Sequence, residues 1–275
     1  MKKLFIYPVK SLLPVELSAV ELTNEGLRFD RSFVLITPPQ EPGDGIAIHL
    51  TIKTTFQLCL FQPFIDESWT NLTIKHVLAE PPSSITVPLT PSPLSLLQSQ
   101  TFHVSIFGTT AVGIDVGEEA ARFFTRHLGR HVRLLFIGGS GRREIPGAAY
   151  IPGHVNALSL ASQEGLQPQR IRFADAAPLL VTSSASEEDA RSRYPTECRD
   201  EDILLRFRPN LHVNVEGVLP PYDEDNWSIL VIKPKSKDSR EVTVRCIFKC
   251  VRCLSLNADP KTGAMAPEIV LTKLR

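Results

Sequence analysis

Apolar residues in this chain come in short runs, and only one stretch repeats them with a clear helical period. Residues 3–8 and 15–22 predict strands joined by a turn at Lys10–Pro14, and the apolar run 32–37 predicts another strand. Residues 38–48 read as a loop. The segment 80–95 holds five prolines among small polar residues and reads as an exposed connection. Strands are expected again at 101–107, 110–114, 131–137, 178–182, 211–215 and 228–233.

The helical stretch is Glu118 to Leu128. Asp115 or Gly117 starts it, Glu118 and Glu119 suit its positive end, and Arg126 and His127 suit its last turn. Gly129 stops it, and Ala121, Phe124 and Leu128 form the buried stripe. A shorter helix is expected from a cap at Ser184 or Ser186 to about Tyr194, with Glu187, Glu188 and Asp189 near its start. The pattern therefore predicts a mainly β chain with α/β elements and no internal repeats. It divides between 130 and 165, into units 1–130 and 131–275.

Composition narrows the picture further. Twenty-two prolines in 275 residues favour turns and short strands over long helices. Thirty basic and thirty acidic side chains leave no global field to attract nucleic acid or an anionic membrane. The start, Met1–Lys10, has the first residues of a signal peptide, but Pro8 and Lys10 break its apolar run, and no stretch is long enough to span a bilayer. An odd number of cysteines, five, without a secretion signal fits a reducing compartment, so a cytosolic protein is expected.

Three of those cysteines, Cys246, Cys250 and Cys253, fall close together. Their spacing matches an iron–sulfur motif, but the β-branched run 241–253 reads as a strand, which puts Cys246 and Cys250 on one face and Cys253 on the other. A zinc site lacks a fourth ligand nearby. Cys246 and Cys250 are then expected as buried packing residues. Cys253, at the strand end beside Arg252 and near Lys249, is expected as the reactive thiolate, able to ligate a metal or carry sulfur. The run Gly138–Arg143 is glycine-rich and basic. It has no Gly-Lys-Ser/Thr ending and reads as a mobile surface loop rather than a phosphate cradle.

Several fragments resemble one family, the MOSC proteins. Tyr7-Pro8-Val9-Lys10-Ser11 and Gly26-Leu27-Arg28-Phe29-Asp30-Arg31 resemble the N-terminal β-barrel of that family, and Ile114–Ala120 resembles the helix start that follows it. Phe173-Ala174-Asp175, Phe207-Arg208-Pro209-Asn210, Arg252-Cys253 and Asp259-Pro260-Lys261-Thr262-Gly263 are similar to the MOSC domain itself. The resemblance implies a MOSC-type β-barrel preceded by an N-terminal β-barrel-like domain. It also implies a molybdenum cofactor in its molybdopterin form, a pterin dithiolene carrying a phosphate.

By that resemblance Cys253 ligates molybdenum, as in the amidoxime-reducing members. Lys10, Ser11, Arg31, Arg208, Asn210 and Arg252 hold the cofactor, and Asp175 sits near the metal. The residue types agree, since a phosphate dianion calls for cations and short donors, and a soft thiolate suits the metal. Taken singly, Lys10 and Arg31 read first as ordinary surface charges, and Asp175 reads equally as a turn residue. The implied activity is reduction of N-hydroxylated small molecules with electrons from a cytochrome b5-type donor. The alternatives are a sulfur carrier with a persulfide on Cys253 and a non-catalytic remnant.

Departures from the family pattern carry expectations too. Only 12 residues follow Gly263, which implies a MOSC domain incomplete at its C-terminal end. Ala174 stands where the amidoxime-reducing members carry a hydroxyl. The membrane anchor of those members and the desulfurase domain of molybdenum cofactor sulfurases are expected to be missing.

Overall fold

The computed structural model describes residues 1–39, 45–139, 141–145, 169–194, 203–233, 240–250 and 253–265. Strands dominate, with four helices among the described residues: Pro93–Leu97, Glu118–Leu128, Ser184–Arg193 and Ile203–Phe207. The expectations about the C-terminal end fall largely on 266–275, outside the described residues.

Five antiparallel strands form the central sheet, in the order Thr101–Ile106, Thr109–Asp115, Arg133–Phe136, Phe33–Thr37, Ile48–His49. Ala47 bridges Val104, and its N–H donates to the His103 carbonyl at 2.8 Å, which brings the two outer strands together into a nearly closed barrel. Val34, Ile36, Phe102, Val104, Ala111 and Leu135 form one apolar cluster. Phe33, Leu35 and Leu134, on the opposite face, pack into a larger core with Phe61, Leu72, Ile74, Phe123 and Phe124. The strand at 33–37 is buried on both faces, so its sequence reads as an unbroken apolar run rather than an alternation.

Glu118–Leu128 folds with the expected bounds, its last turn closed by Gly129 in the left-handed region at φ 66°. It buries Ala120, Ala121, Phe123 and Phe124, each aromatic contributing roughly 1.5–3 kcal/mol. The helix Ser184–Arg193 begins one residue earlier than expected: Ser183 is its cap, accepting from the Ser186 N–H at 3.2 Å.

The exposed connection expected at 80–95 contains a strand. Ser83–Pro88 pairs with Asn71–His76, which pairs in turn with Phe61–Ile65, and Ile85 and Val87 alternate into the core. Its prolines punctuate the ends of the strand rather than its interior, so they do not break the ladder.

The strand expected over 241–253 also differs. It stops at Arg245, because its one hairpin partner, Ile229–Ile232, runs out there; the last link is the Cys246 N–H to the Ser228 carbonyl at 2.9 Å. Residues 246–250 are irregular. Cys250 is exposed and Cys246 partly so, and neither is the buried packing residue expected from alternation.

The glycine-rich loop is a further correction. Gly141 is wedged against the barrel: its carbonyl accepts from Val112 N–H at 3.0 Å, and a Cβ there would lie 1.9 Å from the Val112 oxygen. Arg143 is 1% exposed and starts the strand Arg143–Ile145, paired with Gln169–Ile171. It is an internal strut, not part of a mobile surface loop.

A four-stranded sheet joins the first strand to residues about two hundred positions later. Its order is Val181–Ser183, Leu211–Val213, Lys3–Ile6, Val15–Glu16, with the first pair parallel and the others antiparallel. Among the described residues no helix is long and apolar enough to cross a membrane.

Candidate functional site

Lys10, Ser11, Arg31, Asp175, Arg208, Asn210 and Cys253 all line one cavity of about 1120 Å³. Arg252, the remaining residue of the expected set, lies outside the described residues.

Two loops build the cationic end. Arg31 N–H donates to the Tyr7 carbonyl at 2.8 Å, Phe33 N–H to Pro8 at 2.9 Å, and Lys10 N–H to Phe33 at 2.8 Å, so segments 7–12 and 29–33 interlock through backbone. Phe173 N–H then donates to the Arg31 carbonyl at 3.1 Å, which ties in the segment carrying Asp175. Ser11, Arg31 and Arg208 hold left-handed φ values of 73°, 47° and 58°, and Phe107 and Tyr222, also lining the cavity, hold 53° and 65°. Such conformations cost non-glycine residues on the order of 1 kcal/mol or more each and gather where function demands a fixed geometry.

The two arginines flank one ring. The Arg31 and Arg208 guanidinium carbons lie 4.6 and 4.4 Å from the centre of Tyr7, whose hydroxyl donates to the Pro209 carbonyl at 3.2 Å. Arg31 also pairs with Asp30 and donates to Asn210 Oδ1 at 2.9 Å. Arg208 donates from Nη2 to the Leu12 carbonyl at 2.7 Å, while its Nη1 is buried with no hydrogen-bond partner among the described residues. A buried guanidinium N–H left without an acceptor beside two further cations fits an anionic ligand.

Asn210 does a different job. It is fully buried, and its oxygen accepts from Arg31 and, at 3.1 Å, from Leu180 N–H. Its amide donates to the Phe5 carbonyl at 3.2 Å and to Asp30 Oδ1 at 3.1 Å. All its hydrogen-bonding capacity is used within the protein, so it fixes Asp30 and Arg31 rather than reaching a ligand.

Lys10, with a side chain only 8% exposed, pairs with the Asp175 carboxylate. Burial lowers the Lys10 pKa, with Arg31 and Arg143 adding to the shift and Asp175 opposing it. For Asp175 the surrounding recess raises the pKa, but the Lys10 charge and hydrogen bond, with Lys53 and His49, outweigh it and hold the carboxyl at about 2. His49, pushed down to about 4 by burial and by Lys10, lines the same cavity with Lys53.

Cys253 stands at the start of a 3-10 turn, Leu254–Asn257, with Sγ 3.1 Å from the Ser255 hydroxyl. Buried Arg206 anchors this turn by donating to the Leu256 and Ala258 carbonyls at 2.9 and 2.7 Å. The Asp259–Gly263 segment is a turn around Asp259, whose carboxylate accepts from Lys261 N–H at 2.8 Å and from the Thr262 hydroxyl at 2.7 Å. Gly263 packs on Leu60, where a Cβ would come within 2.6 Å of Leu60 Cδ1. Cys59 Sγ donates to the Asp259 carbonyl at 3.1 Å. The turn thereby docks the Cys253 segment onto the 56–60 region. Cys246 and Cys250 line the cavity as well. Among the described residues no three His, Cys, Asp or Glu side chains form a metal-binding group, so a metal held by Cys253 needs ligands of another origin.

Sequence reasoning missed Arg206, His49 and Lys53 and read Arg143 only as the end of a glycine-rich surface loop. Each acquires its place only through contacts between distant segments.

Residues 1–131 match the MOSC N-terminal beta barrel domain, and residues 168–274 match the MOSC domain. The chain belongs to the MOSC family. It is 27% identical to a molybdenum cofactor sulfurase of Danio rerio over 98% of this chain and 29% of that protein. It is 26% identical to mitochondrial amidoxime-reducing component 1 of Mus musculus over 95% of this chain and 66% of that protein. For mitochondrial amidoxime reducing component 2 of Homo sapiens the identity is 27%, over 96% and 68%. The chain thus spans under a third of the zebrafish sulfurase and about two thirds of the mouse component.

Proposed function

We propose that this MOSC chain binds the molybdenum cofactor in its molybdopterin form and reduces N-hydroxylated small molecules. One observation carries the proposal: Arg208, whose Nη1 is buried without a hydrogen-bond partner among the described residues, lines the same cavity as Arg31, Lys10 and Cys253. The cationic end suits the pterin phosphate, held by Arg208, Lys10 and Ser11 with Arg31 behind them. Cys253 supplies a soft thiolate for the metal, and the bound cofactor supplies reversible two-electron chemistry. In the reaction an N–O bond breaks, an N–H bond forms and water leaves, consuming two electrons and two protons. Paired with Lys10, the Asp175 carboxyl is held at about 2 and is a poor base; it relays protons only once Lys10 turns to the phosphate and that depression is lifted. The electrons come from a redox partner of the cytochrome b5 type, and the protein works in the cytosol.

The test is metal content. Expressed in a host that makes the cofactor, wild type is expected to hold close to one molybdenum per chain, and Cys253→Ala close to none. Equal loading of both would remove Cys253 from the metal.

A second reading is sulfur transfer, with Cys253 carrying a persulfide. It is favoured by Cys246 and Cys250 lining the same cavity as Cys253. Intact-mass analysis of freshly purified protein separates the two: one additional sulfur atom, lost on reduction and absent in Cys253→Ala, supports the carrier.

A further inference from the structure

We propose that Asp175 is the specificity-determining residue of the cationic cradle: its carboxylate occupies Lys10 and so admits only anions carrying more than one charge. The inference deepens the cofactor reading and rests on it for the identity of the natural ligand, a phosphate monoester.

The two carboxylates in the cradle are held very differently. Asp30 is 3% exposed and accepts from Tyr7 N–H at 2.8 Å, from Asn210 Nδ2 at 3.1 Å and from Arg31, so it is a fixed part of the frame. The Asp175 side chain is 53% exposed to the cavity, and Lys10 is its one hydrogen-bond donor among the described residues. It can be displaced; Asp30 cannot.

The backbone under Asp175 stays in place during such a displacement. Arg143 donates from Nη2 to the Ala174 and Asp175 carbonyls, the latter at 2.8 Å, and from Nη1 to the Ile106 carbonyl and the Thr109 hydroxyl at 2.6 and 2.7 Å. This clamp ties the 174–175 segment to the barrel turn that carries Phe107. Release of Lys10 therefore needs only rotation of the Asp175 side chain, not movement of the loop.

The charge balance gives the selectivity. Arg31 is neutralised by Asp30 and Lys10 by Asp175, while Arg208 has an unused N–H. A monoanion offers Lys10 no more charge than Asp175 already supplies. A phosphate dianion offers more, with charge left over for Arg208. Once displaced, the Asp175 carboxylate is left free in the cavity it shares with Cys253.

Calorimetric titration at about pH 8, where phosphate is mostly the dianion, tests this with inorganic phosphate and formate as probes at matched ionic strength. Wild type is expected to bind phosphate and to reject formate. Asp175→Asn is expected to tighten phosphate about tenfold and formate by more, which narrows the discrimination. Asp175→Ser is a second variant that removes the charge with a smaller side chain, and circular dichroism checks the fold of both. If Lys10→Ala abolishes phosphate binding while both Asp175 variants keep wild-type affinities, the filter is overturned and the cradle survives. If phosphate binds neither wild type nor variants, the cradle and the filter fall together.

Discussion

Asn210 Oδ1 accepts a hydrogen bond from Arg31 Nη1 at 2.9 Å across 179 positions of sequence. This bond joins the two halves of the cradle, and the same amide fixes Asp30, Phe5 and Leu180. Asn210→Ala leaves buried donors and acceptors unsatisfied and is expected to destabilise the protein by about 2–4 kcal/mol. Denaturant midpoints measure it, and phosphate titration is expected to show weakened binding in the protein that remains folded. A loss under about 0.5 kcal/mol would contradict the bridging role.

Cys253 is only partly buried, so its loss leaves packing largely intact. Cys253→Ala is expected to stay within about 1 kcal/mol of wild type while losing bound molybdenum. Cys250→Ala, at an exposed position of the same cavity, is expected to keep the metal. Mass-spectrometric metal analysis beside thermal melts separates the two effects; matching metal loss in both variants would mean that Cys253 holds no special place.

Acid is expected to weaken the fold through its histidines. Burial, more than any neighbour, lowers His49 to about 4 and also lowers His76 and His127, which stack at 4.4 Å and 9°. Each is charged more readily in the unfolded chain, so the stabilisation is full above the unfolded value of 6.5 and is lost as pH falls from there through the lowered folded values. Each such group contributes a slope of at most about 1.4 kcal/mol per pH unit. Guanidinium midpoints between pH 7 and 5 read this, above the range where the carboxylates titrate. His127→Asn is expected to flatten the profile, and a profile that is already flat in wild type would refute the assignment.

Gly263 and Gly108 make a matched pair for the docking turn. Both have positive φ, 66° and 81°, but a Cβ at 263 meets Leu60 while one at 108 meets open space. Gly108→Ala carries only the conformational penalty of about 1 kcal/mol. Gly263→Ala adds overlap and is expected to cost about 2–4 kcal/mol, with molybdenum content falling as the Cys253 segment loosens. Equal effects of the two substitutions would mean that the turn does not dock tightly.

The grouping was expected through the family resemblance and not from single residues, and Lys10, Ser11, Arg31, Asp175, Arg208 and Cys253 do line one cavity. Glu118–Leu128 was legible because caps, charges and apolar spacing agree. Arg143 was not, since a buried guanidinium is specified by carbonyls at 106, 174 and 175, which no local pattern reveals. Asn210 was read as a ligand contact because its motif marks importance without saying whether it grips or frames. The strand through 253 failed for a tertiary reason: β-branched residues favour extension, but a ladder needs a partner, and Ile229–Ile232 ends opposite Arg245.

The first strand, Lys3–Ile6, lies between Leu211–Val213 and Val15–Glu16. A ribosome must therefore deliver some two hundred further residues before this strand finds its inner neighbour, and until then that edge waits uncovered. Chaperone demand should concentrate in that interval, and separately expressed halves should form a competent pocket only when mixed.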